Sequence, residues 1–217
     1  MRIDLHTHSI GSLDGSITID QYKKIIDSSK LDYIAITDHD RVDVAQQAQC
    51  RLGQAIIVGQ EVTTVDGEII GLFLTSRIPP GLSAKKTAHL IHEQGGLVYI
   101  PHPFETIRKG LTETTLNSIV SLIDIVEVNN GRAFFQNKSV EALNWANRHN
   151  IATSSSSDAH GIKGLATYFN EVTEVPTSDN LLKILNNGTR NASRPPLLSL
   201  FYPKYNRLRA RLKLKDY

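Results

Sequence analysis

The 217-residue sequence has one cysteine, Cys50, so no disulfide can form within the chain. It has no apolar run near the ~18–20 residues that a membrane-crossing helix needs, which argues against a membrane-spanning protein. Its first residues, Met-Arg-Ile-Asp-Leu-His, form no apolar leader, which points away from secretion. Internal repeats and low-complexity tracts are missing as well. What remains, 40% hydrophobic and 21% charged residues, is globular composition, neither disordered nor fibrous. The length suits one well-buried domain. The expectation is a soluble, cytoplasmic protein with no membrane partner.

The net charge of +2 is unevenly spread. Residues 204–217 contain Lys204, Arg207, Arg209, Arg211, Lys213 and Lys215 against Asp216, a sum of +5, which leaves −3 for the rest. A nucleic-acid-binding protein would more often spread basic charge over a face of its fold. The composition changes at Pro195-Pro196. Residues 1–195 therefore read as one domain and 196–217 as a basic tail.

Short apolar runs alternate with helix-like stretches. Strands are predicted over 3–8, 33–39, 56–61, 68–75, 97–101, 125–129, 151–157 and 169–175. Helices are predicted over 18–30, with Thr18 as N-cap, and over 43–51, 83–94, 112–123, 136–150 and 178–187. Asp66-Gly67 is a hairpin signal. About seven strand–helix units point to an α/β fold with a mainly parallel sheet, closed as a short or distorted barrel.

Five of the eight histidines, His6, His8, His39, His102 and His160, fall at the C-terminal ends of predicted strands, where barrel enzymes build their sites. His6 and His8 are two apart on one strand, so both face the same way. Asp158 and His160 repeat that spacing late in the chain. Glu61 is in phase with Ile57 and Gly59 and should point inward. Imidazole suits zinc, iron and manganese, and carboxylates can bridge two ions. His89 and His92, three apart on one helix, could bind a metal, although an ordinary structural role is the simpler one. His149 at the end of another helix reads as a partner of that helix's C-terminal dipole. Trp145 and the pair Phe134-Phe135 could stack on a base or sugar, although core packing is the simpler role.

In order along the chain come Asp4-Leu-His6-Thr-His8-Ser, Asp14-Gly15, Thr37-Asp38-His39-Asp40, Gly59-Gln-Glu61, Pro101-His102-Pro103 and Ser157-Asp158-Ala-His160-Gly161. This series resembles the polymerase and histidinol phosphatase (PHP) family over residues 1 to about 175. The resemblance implies a distorted (β/α)7 TIM-like barrel, two or three divalent ions (Zn, Mn or Fe) and phosphoesterase activity. It implies that His6, His8, Glu61 and Asp158 hold a first metal. Glu61 would bridge to a second metal on His102. Asp14, His39 and His160 would hold a third. Many relatives have a histidine where this sequence has Glu68, and a carboxylate there favours harder ions. A hydroxide bridging two metals would attack the phosphorus. Asp14, Glu61 and His160 are the catalytic candidates, with Asp14 or His160 as proton donor.

Asp4, Asp38 and Asp40 flank the ligand histidines and could set their tautomers. Arg132 leads the candidates for binding substrate, with Asn129, Arg108 and Lys109 behind it. The tail from Tyr205 has leucines at 208, 212 and 214, and reads as a helix packing on the barrel or on a second copy. The implied partner is a small phosphorylated metabolite: a nucleotide, a sugar phosphate or a histidinol-phosphate type. A nuclease would need a basic groove, against which the body charge of −3 argues. A non-catalytic, metal-stabilised module would be expected to have lost ligands. An amidohydrolase would need a bridging lysine at a strand end, and none is evident.

Overall fold

The computed structural model describes residues 1–134 and 136–212. Phe135 and residues 213–217, with Lys213, Leu214 and Lys215 of the basic tail, lie outside the described residues. The chain runs β1 (Arg2–Asp4), α1 (Ile19–Asp27), β2 (Tyr33–Ile36), α2 (Asp43–Leu52), β3 (Ile56–Thr63), β4 (Glu68–Leu72), α3 (Ala84–His92) and β5 (Leu97–Ile100). It continues through α4 (Glu113–Ser118), β6 (Ile125–Asn130), α5 (Ser139–Arg148), β7 (Ala152–Ser156), β8 (Tyr168–Glu171), α6 (Leu181–Asn186), β9 (Thr189–Ala192) and α7 (Tyr202–Arg211). Thr18 caps α1 as expected, with Gln21 returning the hydrogen bond in a capping box.

The strands form one sheet in the order β7-β6-β5-β4-β3-β2-β1-β8-β9. Parallel pairing joins β1 to β2, β2 to β3, β5 to β6 and β6 to β7. The pairings of β4 with β3 and β5, and of β8 with β1 and β9, are antiparallel. The sheet is thus half antiparallel rather than mainly parallel. The cause at β4 is the tight turn through Gly67, whose φ of 139° suits glycine. A Cβ there would stand 2.7 Å from the Lys109 carbonyl oxygen.

The barrel closes only at its mouth. The chain beyond β1 meets the chain beyond β7: Asp158 N–H donates to the His6 carbonyl (2.9 Å) and His8 N–H to the Ala159 carbonyl (2.8 Å). Below that point β1 and β7 do not pair, and Asn170 of β8 fills the seam. Its amide accepts from Ser155 N–H (2.9 Å) and donates to the carbonyls of Ser155 (3.0 Å) and Ile3 (3.4 Å).

Two apolar layers surround this barrel. Ile34, Ile36, Ile56, Val58, Val98 and Val126 pack outward under the helices with Trp145, Ile91 and Ala45. Ile3, Leu5, Ala35, Ile57, Ile70, Tyr99, Ile125 and Ala152 converge inside, plugged below by Leu181 and Ile184 of α6. Trp145 is a core residue, fully buried, and its Nε1–H donates to Asn117. Several predicted elements are shorter than expected. Gln136, predicted to be helical, instead accepts from the backbone N–H groups of Thr106 (2.9 Å) and Ile107 (3.2 Å), and α5 begins three residues later. The helix predicted over 112–123 ends at Ser118, before the β-branched pair Ile119-Val120. Strand β9 and helix α7 have no counterpart among the predicted elements, apart from the expectation that the tail packs as a helix.

Candidate metal centre

Each strand that begins apolar inside the barrel ends in an ionisable side chain at one mouth. Ala35 is followed in phase by Thr37 and His39, Ile57 by Gly59 and Glu61, and Ile125 by Glu127. Because β4 runs antiparallel, its first residue, Glu68, reaches the same mouth. β1 ends at Asp4, so Leu5 still joins the inner core while His6 turns into the mouth.

There the donor atoms converge. His6 Nε2 and His8 Nε2 are 3.1 Å apart. Glu61 Oε2 stands 3.5 and 3.3 Å from them, and Asp158 Oδ1 3.6 and 3.5 Å. The other Glu61 oxygen, Oε1, is 3.1 Å from His102 Nε2, and Glu68 Oε2 is 3.8 Å from that nitrogen. On the opposite side His39 Nδ1 is 3.1 Å from Glu61 Oε2. Asp14 lies between His39 Nε2 (3.7 Å, from Oδ1) and His160 Nε2 (3.6 Å, from Oδ2). All nine candidate ligands therefore meet, and each is buried except His39, whose side chain is 31% exposed. His102 (φ 32°) and Asp158 (φ 50°) hold left-handed backbone conformations that non-glycine residues rarely adopt.

The charges are mutually adjusted. Burial would lower the proton affinity of His6, but Asp158, Glu61 and Glu127 raise it well above the ordinary histidine value. Burial opposes charge on His39 too, yet Glu61 and Asp14 lift it to about 9. Burial would raise the carboxyls of Glu61, Asp158 and Asp14, but the facing imidazoles hold all three below the carboxylate range, with Arg132 adding to the effect at Asp158. Burial and the Glu61 charge push Glu68 up to about 8. Burial, with His8 and Arg132 nearby, pushes His160 far down, so its ring is neutral. The cluster draws in positive charge. Asp14 Oδ1 and His160 Nε2 are buried without a hydrogen-bond partner, which is costly in the absence of a bound group. Mixed imidazole and carboxylate donors suit Zn, Mn or Fe, so the residues present fit divalent cations.

The supporting residues differ in part from expectation. Glu127, not singled out from the sequence, accepts from His6 Nδ1 (3.1 Å), Tyr99 OH (2.9 Å), His102 N–H (2.8 Å) and Asn130 Nδ2 (2.8 Å). It sets the His6 tautomer, leaving Nε2 to face inward. Asp4 accepts from the backbone N–H groups of Ser157 (3.1 Å) and His6 (3.3 Å) and does not meet the His6 ring. Asp38 acts at one remove: it accepts from Ser12 Oγ (2.7 Å), which meets His8 Nδ1 (3.2 Å). Asp40 accepts from Thr63 N–H (2.8 Å) and steadies the loop.

Asn129 does not reach the cluster. A bulge between Glu127 and Asn129 shifts the register, so Asn130 turns inward and donates to Asp158 Oδ2 (3.3 Å). Asn129 lines an outer groove with Asn147, Asn150 and Arg190. Arg108 is not free for substrate. It is paired with both Glu105 oxygens (2.7 and 2.8 Å), Asn130 Oδ1 (2.6 Å) and Asp158 Oδ2 (2.8 Å). Lys109 is exposed beside Glu68, whose proton affinity its charge lowers. Arg132 is at the rim, 22% exposed, with Nη1 3.5 Å from Asp158 Oδ1 and 3.4 Å from His160 Nδ1. His92 pairs with Asp124 (2.8 Å) away from the mouth, and His149 lies against Trp145. Phe134 is 63% exposed.

The chain belongs to the PHP domain family, whose model matches residues 4–186. An uncharacterized protein of Methanocaldococcus jannaschii is 33% identical over 172 residues, which cover 75% of this chain and 66% of that protein. The chain thus spans just under two thirds of that relative's length. Among solved structures, a two-domain protein from Bacteroides vulgatus containing a predicted PHP-like metal-dependent phosphoesterase superposes with a TM-score of 0.73 at 17% identity, covering 95% of this chain and 69% of that one. The lesion-specific endonuclease EndoQ from Pyrococcus furiosus superposes with a TM-score of 0.63 at 18% identity, covering 88% and 57%. No helix among the described residues is long and apolar enough to cross a membrane.

Proposed function

We propose that this protein is a divalent-cation-dependent phosphoesterase whose substrate is a small phosphomonoester. One observation carries the reading: at the barrel mouth His6 Nε2 and His8 Nε2 are 3.1 Å apart, and each lies 3.3–3.6 Å from both Glu61 Oε2 and Asp158 Oδ1. These four would hold a first ion. Glu61 Oε1 and His102, with Glu68 behind, would hold a second, and Asp14, His39 and His160 a third. Bound Zn, Mn or Fe ions supply charge neutralisation for the phosphate and acidify water.

The chain's own residues do the rest. Glu127 and Ser12 take the Nδ1 sides of His6 and His8, which aims the Nε2 lone pairs inward. Glu61 faces both cation groups with different oxygens. Arg108 buttresses Asp158 from behind. Arg132 presents guanidinium N–H groups at the rim, where a phosphate oxygen can be gripped. His160 is neutral and suits a lone-pair donor better than a proton donor. Asp14 is held ionised by the facing imidazoles and by Arg207. The leaving-group proton would therefore come through water at this corner, with Asp14 or His160 as the group that relays it.

A second reading, hydrolysis of phosphodiesters in nucleic acid, gains from one observation. The basic helix α7 docks at the mouth, with Arg207 on Asp14 at 2.8 Å. The two readings part in an assay of phosphate release from nucleotides and sugar phosphates against cleavage of end-labelled oligonucleotides. Glu61→Ala should lose bound metal by elemental analysis and lower turnover at least ~1,000-fold, as expected when a group acting with others is removed. Unchanged metal content and turnover would reject the site.

A further inference from the structure

Helix α7 does not pack through Leu208 or the Leu212 that follows it. Leu208 and Leu212 are 55% and 58% exposed, and the buried residues of the helix are Pro203 and Asn206. Its attachment is polar and specific. The Asn206 amide donates to the backbone carbonyls of Asp14 (2.7 Å) and His160 (3.2 Å), which are 146 residues apart in the chain. Arg207 donates through Nη2 (2.8 Å) and Nε (3.2 Å) to one oxygen of Asp14, Oδ2. Tyr202 lies over Gly161, where an added Cβ would stand 2.6 Å from its ring.

These contacts have a geometric consequence. With Oδ2 held from the helix side, Oδ1 is the oxygen left buried and unpartnered, facing His39 Nε2 at 3.7 Å. His160 Nε2, also without a hydrogen-bond partner, stands 3.6 Å from Oδ2, the oxygen that Arg207 holds. A lone carboxylate on a loop can rotate and present either oxygen, or both; a two-point grip by a guanidinium removes that freedom. The Arg207 side chain is 60% exposed, so water screens its repulsion of a nearby cation.

We propose that Arg207 is a positioning residue: by holding Asp14 Oδ2 on the His160 side it turns Oδ1 toward His39, so that α7 fixes the carboxylate between the two imidazoles and completes the third cation group. The inference rests on the reading of those three residues as ligands of a third divalent ion.

The test titrates metal-stripped full-length protein with Mn²⁺ or Zn²⁺ and counts bound ions, alongside steady-state kinetics. Arg207→Ala should keep the tighter ions and weaken the weakest about tenfold, or ~1.4 kcal/mol. It should lower kcat more than it raises KM, with the melting temperature little changed. Arg207→Lys should recover part of the loss, and free guanidinium below unfolding concentrations should restore affinity to the alanine variant. Asp14→Asn separates the two claims. If it binds as many ions as wild type, the third-ion reading fails and this inference with it. If it loses an ion while Arg207→Ala keeps wild-type affinity, Arg207 is overturned alone. Tighter binding in Arg207→Ala would mean that the helix opposes the cation, and would equally overturn the proposal.

Discussion

The lower and upper halves of the barrel interior are built from the same strands but by opposite rules. Below, Ile3, Leu5, Ala35, Ile57 and Ile125 exclude every charge, and burial itself stabilises them at about 25 cal/mol per Å² of apolar surface. Above, one to four residues further along the same chain segments, come His6, His39, Glu61 and Glu127. Burial there costs free energy at every residue, and the sign of each charge is set by its neighbours. The lower half can therefore tolerate changes of shape among apolar residues. The upper half depends on a balance of charge that a bound cation completes.

The seam between β1 and β7 tests that division most severely, because it is where the lower half lacks backbone pairing. Asn170→Ala would leave the Ser155 N–H and carbonyl buried without partners. Each unsatisfied group costs about 1–3 kcal/mol, so unfolding in urea should show a loss of roughly 2–3 kcal/mol. The number of bound ions should stay the same, since the mouth closes by its own backbone bonds at Asp158 and Ala159. A loss of metal without a loss of stability would mean that the two halves are not separable.

Arg132→Ala probes the upper half alone. Arg132 lies on the rim and touches only the cluster, so stability should move little. If it holds ground-state phosphate, KM should rise roughly 10- to 100-fold, the worth of a hydrogen bond to a charged group, with a smaller fall in kcat. An unchanged KM would remove it from substrate binding.

How the sequence foreshadows these halves follows from the range of the interactions involved. His6, His8, His39, Glu61, Glu68, His102, Asp158 and His160 were legible because strand alternation and strand-end position are local properties, and the PHP-like motifs repeat them in order. Asn129 was read for Asn130 because a one-residue bulge at Val128 flips every later side chain, and nothing in Glu-Val-Asn-Asn marks it. Arg108 read as a substrate residue because its partner Asp158 lies 50 positions away. The docking of α7 was less visible still, since Arg207 meets Asp14 across 193 positions and, of the leucines that suggested packing, Leu208 and Leu212 are exposed. Glu127 could have been found: it is in phase with Ile125, as Glu61 is with Ile57, and only the absence of a neighbouring histidine hid it.

Asp4 sits at the boundary between the halves, between Ile3 and Leu5, and gives the smallest effect. Burial raises its carboxyl from 3.8 to about 7, against the lowering influence of the Ser157 and His6 N–H groups. The folded chain therefore keeps the Asp4 proton up to about pH 7, whereas the unfolded chain gives it up near pH 4. The stabilisation is complete below the unfolded value and is lost as pH rises through the folded one. Between pH 5 and 6 metal-free wild type should lose up to about 1.4 kcal/mol more than Asp4→Asn, whose neutral amide has no proton to give. Equal slopes for the two proteins in urea titrations at those pH values would place Asp4 among the charged groups of the upper half, and the boundary would then run one residue lower.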